Sequence, residues 1–337
     1  MKAIGFKESL PITAENSFIA FEADKPEPTG YDLLVKISAI SVNPVDYKIR
    51  QSAAKNTFLD RPKIIGWDAV GTVEAVGEKT SRFQVGDAVF YAGDLTRSGC
   101  NAEYQLVDER IVGHKPRNLT DAEAAAIPLT GLTAWESLFD RIRIKPEQDQ
   151  GKAVLMLAGA GGVGSIAIQI AKQVAQLTVI ATASRPDSQE WCTKLGADYV
   201  VNHKNLKEEL KAIGYDEVDY ILDFVNLNAY WEIANQIIKP QGHIVSITGS
   251  NDPLDLSLLK KKSITLSWEL MYTRSMYHTD DMIQQHVILN EISRLLDAGM
   301  LKTTLTTILE GFTVDNLKKA HQMQESATTI GKTVIQF

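Results

Sequence analysis

The chain has 337 residues, 35 Lys and Arg against 42 Asp and Glu, a formal net charge of −7, and 44% hydrophobic residues. That length suits two domains, and the apolar content supports packed cores, which excludes a disordered chain. The acidic balance gives no electrostatic footprint for nucleic acid, and two cysteines, Cys100 and Cys192, exclude a disulfide framework and a four-thiolate zinc site.

The first residues, Met1–Phe6, soon meet charge and then Pro11, so no signal peptide is expected. Residues 153–164, the most apolar stretch, are too short and glycine-rich to span a bilayer; a cytoplasmic protein with no membrane partner is the expectation. Residues 31–40 alternate as a partly buried strand does, 69–77 form a second strand bounded by glycine, and Val85-Gly86-Asp87 is a turn leading into a third. Short strands punctuated by Gly and Pro predict a β-rich first part. Thr120 and Glu123 have the spacing of an N-cap and its capping-box partner, opening an Ala-rich helix that Pro128 ends. A helical pattern resumes over 130–139.

From Lys152 onward, strand and helix alternate. Strands are expected at 153–158, 177–183, 198–202, 220–224 and 243–248. Helices are expected at 162–175 and at 188–195, the latter closed by Gly196. The alternation predicts a parallel, doubly wound sheet. A helix over 281–298 and a strand over 328–337 finish the chain.

Gly159-Ala160-Gly161-Gly162-Val163-Gly164 satisfies G-x-G-x-x-G. It follows an apolar strand and opens an amphipathic helix, the context in which the pattern signals dinucleotide binding. Gly159 permits the tight turn, Gly161 lets backbone approach the pyrophosphate, and Gly164 lets helix pack on strand. The helix N-terminus offers N–H groups to the phosphates. The next strand ends in Thr182-Ala183-Ser184-Arg185-Pro186. A carboxylate for the ribose 2′-hydroxyl would stand there in an NAD site. Ser184 and Arg185 suit a 2′-phosphate instead, so NADPH is the expected cofactor. Later strand ends add His203, Phe224, Val225, Thr248 and Gly249 as cofactor contacts.

Several further segments occur in order: Ser41-Val42-Asn43-Pro44-Val45-Asp46, Gly66-Trp67-Asp68-Ala69-Val70-Gly71, Val85-Gly86-Asp87, Ile127-Pro128-Leu129-Thr130-Gly131-Leu132-Thr133 and Lys194-Leu195-Gly196-Ala197-Asp198. With these the chain resembles, over essentially its whole length, the medium-chain dehydrogenase/reductase superfamily. Within it, the resemblance is to the zinc-free quinone oxidoreductase (zeta-crystallin-like) branch and to proteins described as zinc-type alcohol dehydrogenase-like. It implies an α/β fold: a Rossmann-type doubly wound parallel sheet that binds NADP over 126–269, plus a β-rich GroES-like catalytic domain from 1–125 and 270–337. It also implies a homodimer, through edge strands near 264–268.

Zinc-dependent relatives begin the catalytic site with Cys where this chain has Asn43, and place His-Glu where it has Trp67-Asp68. No metal is therefore expected. Without a Lewis acid, hydride acceptors that spread charge over a conjugated oxygen become favoured. The resemblance implies NADPH-dependent reduction of quinones or α,β-unsaturated carbonyls. Alternatives are a reductase of simple ketones, aldehydes or enoyl thioesters, and an NADPH-binding sensor or structural protein. Asn43 is expected near the nicotinamide as a donor to substrate, with Asp46 beside it and Tyr47 as a proton donor. Thr130, Thr133 and Lys332 are expected at the cofactor.

Overall fold

Residues 1–250 and 252–337 are described by a computed structural model, and their contacts fall into two units: Met1–Leu129 with Tyr272–Phe337, and Thr130–Met271. The first unit opens with two short antiparallel strands, β1 (Lys2–Gly5) and β2 (Ile19–Glu22). The long strand β3 (Asp32–Ser41) follows, then β4 (Asp68–Val76), β5 (Ala88–Tyr91), β6 (Tyr104–Asp108) and β7 (Val112–His114). Leu33, Val35, Ile37 and Ala39 of β3 are all buried, so this strand is a spine of the unit's core. Gly71 in β4 is obligatory: a Cβ there would lie 2.2 Å from the carbonyl oxygen of Lys36 on β3. The helix at Asp121–Ala125 begins as expected, with Glu123 N–H donating to Thr120 Oγ1 and Thr120 N–H donating to Glu123.

The second unit has a parallel sheet. Its strands are β8 (Ala153–Leu157), β9 (Thr178–Thr182), β10 (Tyr199–Val201), β11 (Val218–Asp223), β12 (Ile238–Ser246) and β13 (Thr265–Trp268). Among the described residues these six pair in the order β10-β9-β8-β11-β12-β13, every pair parallel. The order reverses direction between β8 and β11, which makes that gap the topological switch point of a doubly wound sheet. All five residues of β8 are buried, as a central strand covered on both faces requires. The helix Gly162–Gln173 buries Ile166, Ile168 and Ile170, each contributing about 1.5–3 kcal/mol of transfer free energy. The helical pattern expected over 130–139 runs instead through Pro128–Trp135 and a wider π-helical turn at Glu136–Ile142.

The chain then returns to the first unit through the helices Gln284–Asp297 and Val314–Glu325 and the strands β14 (Leu305–Glu310) and β15 (Lys332–Gln336). Among the described residues the order there is β14-β15-β3-β4-β5-β7, with β6 also on β3. All pairs are antiparallel except β14 with β15. Among the described residues no helix is long and apolar enough to cross a membrane.

One packing detail has a pH consequence. His321 on the helix Val314–Glu325 is 0% exposed, with its ring edge-on to Phe18 at 4.9 Å, and neither ring nitrogen has a hydrogen-bond partner among the described residues. Burial, with the buried Arg50 guanidinium second, lowers its pKa from 6.5 to about 3. The fold thus favours neutral imidazole. Its stabilising contribution is complete above pH 6.5 and declines as pH falls toward 3. At roughly 1.4 kcal/mol per pH unit, the protein is expected to lose about 2 kcal/mol between pH 7 and pH 5 from this residue alone. Denaturant melts of wild type and His321→Leu at both pH values check this: equal losses in the two proteins would remove His321 as the cause.

Candidate functional site

Strand register places the polar centre of the first unit. In the antiparallel pair of β15 and β3, Val334 lies opposite Ser41. Continuing that register two residues sets Lys332 opposite Asn43 at the end of β3. Ser41 also lies opposite Asp68 on the other side. Three chemically distinct side chains, 264 to 289 positions apart for the pairs involving Lys332, therefore meet at one end of adjacent strands.

Asn43 and Pro44 begin the helix Pro44–Ser52. Asp46, at its third position, accepts from the Asn43 backbone N–H at 2.6 Å, so the carboxylate also sits at the positive end of the helix dipole. The Asn43 amide does not cap the helix but turns inward. Its Nδ2 donates to Asp68 Oδ2 at 3.1 Å and to Ser41 O at 3.4 Å, and its Oδ1 accepts from Lys332 Nζ. Lys332 Nζ also donates to Asp68 Oδ2 at 3.3 Å and to Val42 O at 3.4 Å. Asp68 Oδ1 accepts from the Leu129 backbone N–H at 3.1 Å. Asn43, Asp46, Asp68 and Lys332 are each no more than 2% exposed.

Backbone geometry just before Asp68 is equally constrained. Gly66 has φ +86°, and a Cβ there would lie 2.5 Å from Asn101 Oδ1 and 3.2 Å from Cys100 Sγ. Trp67, Tyr91, Cys100 and Tyr272 are buried in the same unit, with Trp67 and Tyr272 edge to face at 6.5 Å.

The electrostatics follow from this burial. Loss of solvent raises the Asp46 carboxyl to about 7, with the Asn43 N–H and Lys332 opposing and Asp68 reinforcing. Burial also pushes Asp68 up and Lys332 down, and their mutual attraction works against both shifts. An ammonium has three hydrogens, and here each has an acceptor, so the geometry favours the Lys332–Asp68 ion pair. Asp46 Oδ1 has no partner among the described residues, which leaves Asp46 the group poised to change protonation near neutrality.

Not all expected site residues join this set. Tyr47 is half-buried on another face of its helix, where burial and the nearby Glu325 carboxylate raise its hydroxyl. Lys332, expected as a basic group approaching cofactor, is buried against Asn43 and Asp68 instead. Asn43, expected as a donor to substrate, has its amide N–H groups directed at Asp68 and Ser41. Asp68 holds all of these together, and its weight emerges only from the Lys332 pairing.

In the second unit, the glycine turn lies directly beyond β8. Ala158 has φ +60°. A Cβ on Gly159 would lie 2.7 Å from Ala181 Cβ, and one on Gly164 would lie 2.5 Å from the carbonyl oxygens of both Ala158 and Gly159. At Gly161 the nearest atom to such a Cβ is 3.4 Å away. Protein packing therefore explains Gly159 and Gly164 but not Gly161, whose open side suits a close ligand. Gly161 is the N-cap of Gly162–Gln173 and supplies no side-chain cap, leaving the first N–H groups for an anion. Ala160 is buried, while Gly161, Gly162 and Val163 are half-buried.

Because the strands are parallel, Ser184, Arg185, His203, Phe224, Val225, Thr248 and Gly249 fall at the same carboxyl edge of the sheet. Ser184, Arg185, Val225 and Gly249 are exposed there; His203, Phe224 and Thr248 are half-buried. Thr130 and Thr133 are buried in the helix Pro128–Trp135. Sequence reasoning missed Asp223, a buried carboxylate at the end of β11. It accepts from the N–H groups of Val225 (3.1 Å) and Asn226 (3.0 Å) and from the hydroxyls of Ser246 (2.7 Å) and Thr248 (2.8 Å). It thereby fixes two of the loops at this edge; an Asp closing an apolar strand was the available signal.

The fit of a catalytic zinc can be tested on this donor set. Such a site needs three protein ligands, usually His, Cys or carboxylate. Among the described residues no three or more His, Cys, Asp or Glu side chains are grouped to hold a metal ion. Asp68 is committed to three donors, and an ammonium fills the space between it and Asn43. The residues present do not fit zinc.

Residues 29–117 match the family model for the alcohol dehydrogenase GroES-like domain, and residues 162–285 match the model for zinc-binding dehydrogenase. A zinc-type alcohol dehydrogenase-like protein of Staphylococcus epidermidis is 46% identical over 338 residues, covering 99% of each chain. The NADPH-dependent alkenal/one oxidoreductase, chloroplastic, of Arabidopsis thaliana is 34% identical over 235 residues, covering 68% of this chain and 58% of that one. The structure of Escherichia coli quinone oxidoreductase complexed with NADPH has a TM-score of 0.84 and 25% identity, with 100% of each chain covered.

The glycine geometry gives a paired expectation. Gly164→Ala forces its Cβ against two carbonyl oxygens and should lower the melting temperature by several degrees, as roughly 1–3 kcal/mol of overpacking does. Gly161→Val should melt near wild type yet bind dinucleotide at least about tenfold more weakly. Thermal melts and dinucleotide titrations of both variants check the pair; normal binding by Gly161→Val would show that no ligand approaches that face.

Proposed function

The chain belongs to the medium-chain dehydrogenase/reductase superfamily, and from that premise we propose that it is an NADPH-dependent, zinc-independent reductase of quinones or α,β-unsaturated carbonyls. The observation that carries the reading is the closed oxygen-and-ammonium cage of Asn43, Asp68 and Lys332, which does not fit a catalytic metal. The coarser statement, that it is an oxidoreductase, follows from the family. The Arabidopsis relative acts with NADPH on alkenals and enones, and the E. coli quinone oxidoreductase was solved with NADPH; both support the finer reading.

When bound, reduced nicotinamide supplies the hydride. In this reading the turn Gly159–Gly164 and the helix behind it hold the pyrophosphate. Arg185 and Ser184 meet the 2′-phosphate, and Asp223 braces Phe224–Val225 and Thr248–Gly249. Thr130 and Thr133 shape the cofactor site. Substrate-side electrostatics come from the catalytic unit, which we assign to the first unit. Asn43 is held by Lys332 and Asp68, Asp46 exchanges its proton near neutral pH, and Tyr47 is the candidate outer proton donor. A conjugated acceptor spreads the arriving negative charge onto an oxygen, so hydrogen-bond donors and a fixed cation suffice where a simple ketone would need a Lewis acid. We also propose a cytoplasmic homodimer joined through β13. Among the described residues that strand pairs only with β12, and Trp268 on it is 49% exposed.

NADPH oxidation should proceed with a naphthoquinone and an α,β-unsaturated ketone, resist a strong chelator, and be much slower with a simple ketone. Chelator-sensitive turnover of the simple ketone would reverse the reading, and tight NADPH binding without turnover would favour a sensor. Arg185→Ala should weaken NADPH at least about tenfold, the loss of one charge-assisted contact, while NADH binding stays within about twofold; equal losses would acquit Arg185 of reading the 2′-phosphate. Light scattering should report a dimer that Trp268→Lys converts to monomer.

A further inference from the structure

We propose that Lys332 is a positioning residue of this reductase: its buried ammonium is the permanent cation of an all-oxygen cage, holding Asn43 and Asp68 in the arrangement that substrate-side chemistry uses. The proposal rests on the reductase reading above and goes beyond it by naming the group that orders Asn43 and Asp68.

The cage is specific to an ammonium. Lys332 is 2% exposed, and its three acceptors are Asn43 Oδ1, Asp68 Oδ2 and Val42 O, one for each hydrogen. Two side-chain oxygens and one backbone carbonyl suit a hard cation, and they lack the imidazole and thiolate ligands that zinc prefers. The placement is built into the sheet, because the register of β15 on β3 sets Lys332 opposite Asn43.

Stability alone does not explain the arrangement. A buried ion pair is commonly no better for folding than apolar side chains of similar volume. This unit nevertheless buries two carboxyl groups, an ammonium and an amide together. The ion pair fixes the Asn43 and Asp68 side chains before substrate arrives, so holding them in place costs no reorganisation during turnover. Lys332 acts through Asn43 and Asp68, and its loss should leave cofactor affinity unchanged.

The test compares full-length wild type, K332R, K332M and the double variant K332M/D68N. NADPH oxidation with a naphthoquinone and an enone, NADPH titration and thermal melting are the readouts. K332M should lower kcat about 100-fold or more, within the range for losing one preorganised electrostatic group, with NADPH affinity within about threefold of wild type. K332R keeps the charge but not the ammonium geometry, so it should recover only part of that loss. The double variant removes both members of the ion pair, so it should regain much of the melting temperature lost in K332M while remaining slow. If its kcat recovers along with its stability, the pair is structural only and the proposal falls. If NADPH affinity drops more than about tenfold at unchanged kcat, Lys332 is a cofactor contact and the proposal falls likewise. A wild type that binds NADPH but turns over neither substrate overturns the reductase reading and this proposal with it, and that outcome is visible before any variant is made.

Discussion

A buried ammonium needs an oxygen for each of its hydrogens, and in the first unit that requirement ties together the residues around it. Lys332 takes its acceptors from Val42, Asn43 and Asp68. That match holds in only one register of the last strand on β3, since a shift of one residue would turn Lys332 to the opposite face. Asp68 must enter from the start of β4, and Gly66, at φ +86°, lets the chain deliver it there without striking Asn101. The Leu129 N–H satisfies the remaining Asp68 oxygen. Breaking any one of these contacts leaves a charge or amide buried without its partner, which costs far more than the contact itself contributes.

The two units were unequally legible in the sequence. In the second unit the strands β8, β9, β11 and β12 carry their own signal: apolar runs punctuated by helices and closed by glycine or a polar residue. Local chemistry is enough there, and the glycine turn lies where a G-x-G-x-x-G after a buried strand must lie. The capping pair Thr120 and Glu123 was readable for the same reason, because its partners are three residues apart. β14, by contrast, reads Leu305-Thr306-Thr307-Ile308-Leu309 without strict alternation, and became a strand only by pairing with β15.

The candidate site was readable in parts but not as a whole. Asn43 and Asp46 are close in sequence and emerged together. Lys332 lies 264 residues from Asp68, and no local pattern announces that the two meet; only the strand order β15-β3-β4 brings them side by side. Tyr47 shows the converse. It is adjacent in sequence to Asp46, yet on a helix adjacent residues point about 100° apart, and here Asp46 turns to the buried cage while Tyr47 turns toward Glu325.

The same scaffold can carry metal-dependent or metal-free chemistry because the site depends on a few side chains at strand ends, whereas the fold depends on the strands. Asn43 occupies the end of β3 and Asp68 the start of β4 whatever their identity, since register rather than side-chain chemistry places them. With Asn at the first position, the donor available is an amide oxygen, a poor zinc ligand and a good acceptor for an ammonium. Once that oxygen faces Lys332, Asp68 gains more by pairing with the lysine than by reaching for a metal, and the cage closes on itself. The positive charge buried in this cage is therefore a covalent one. Such a charge cannot dissociate or be chelated, and its place is fixed by the same strand register that holds the core.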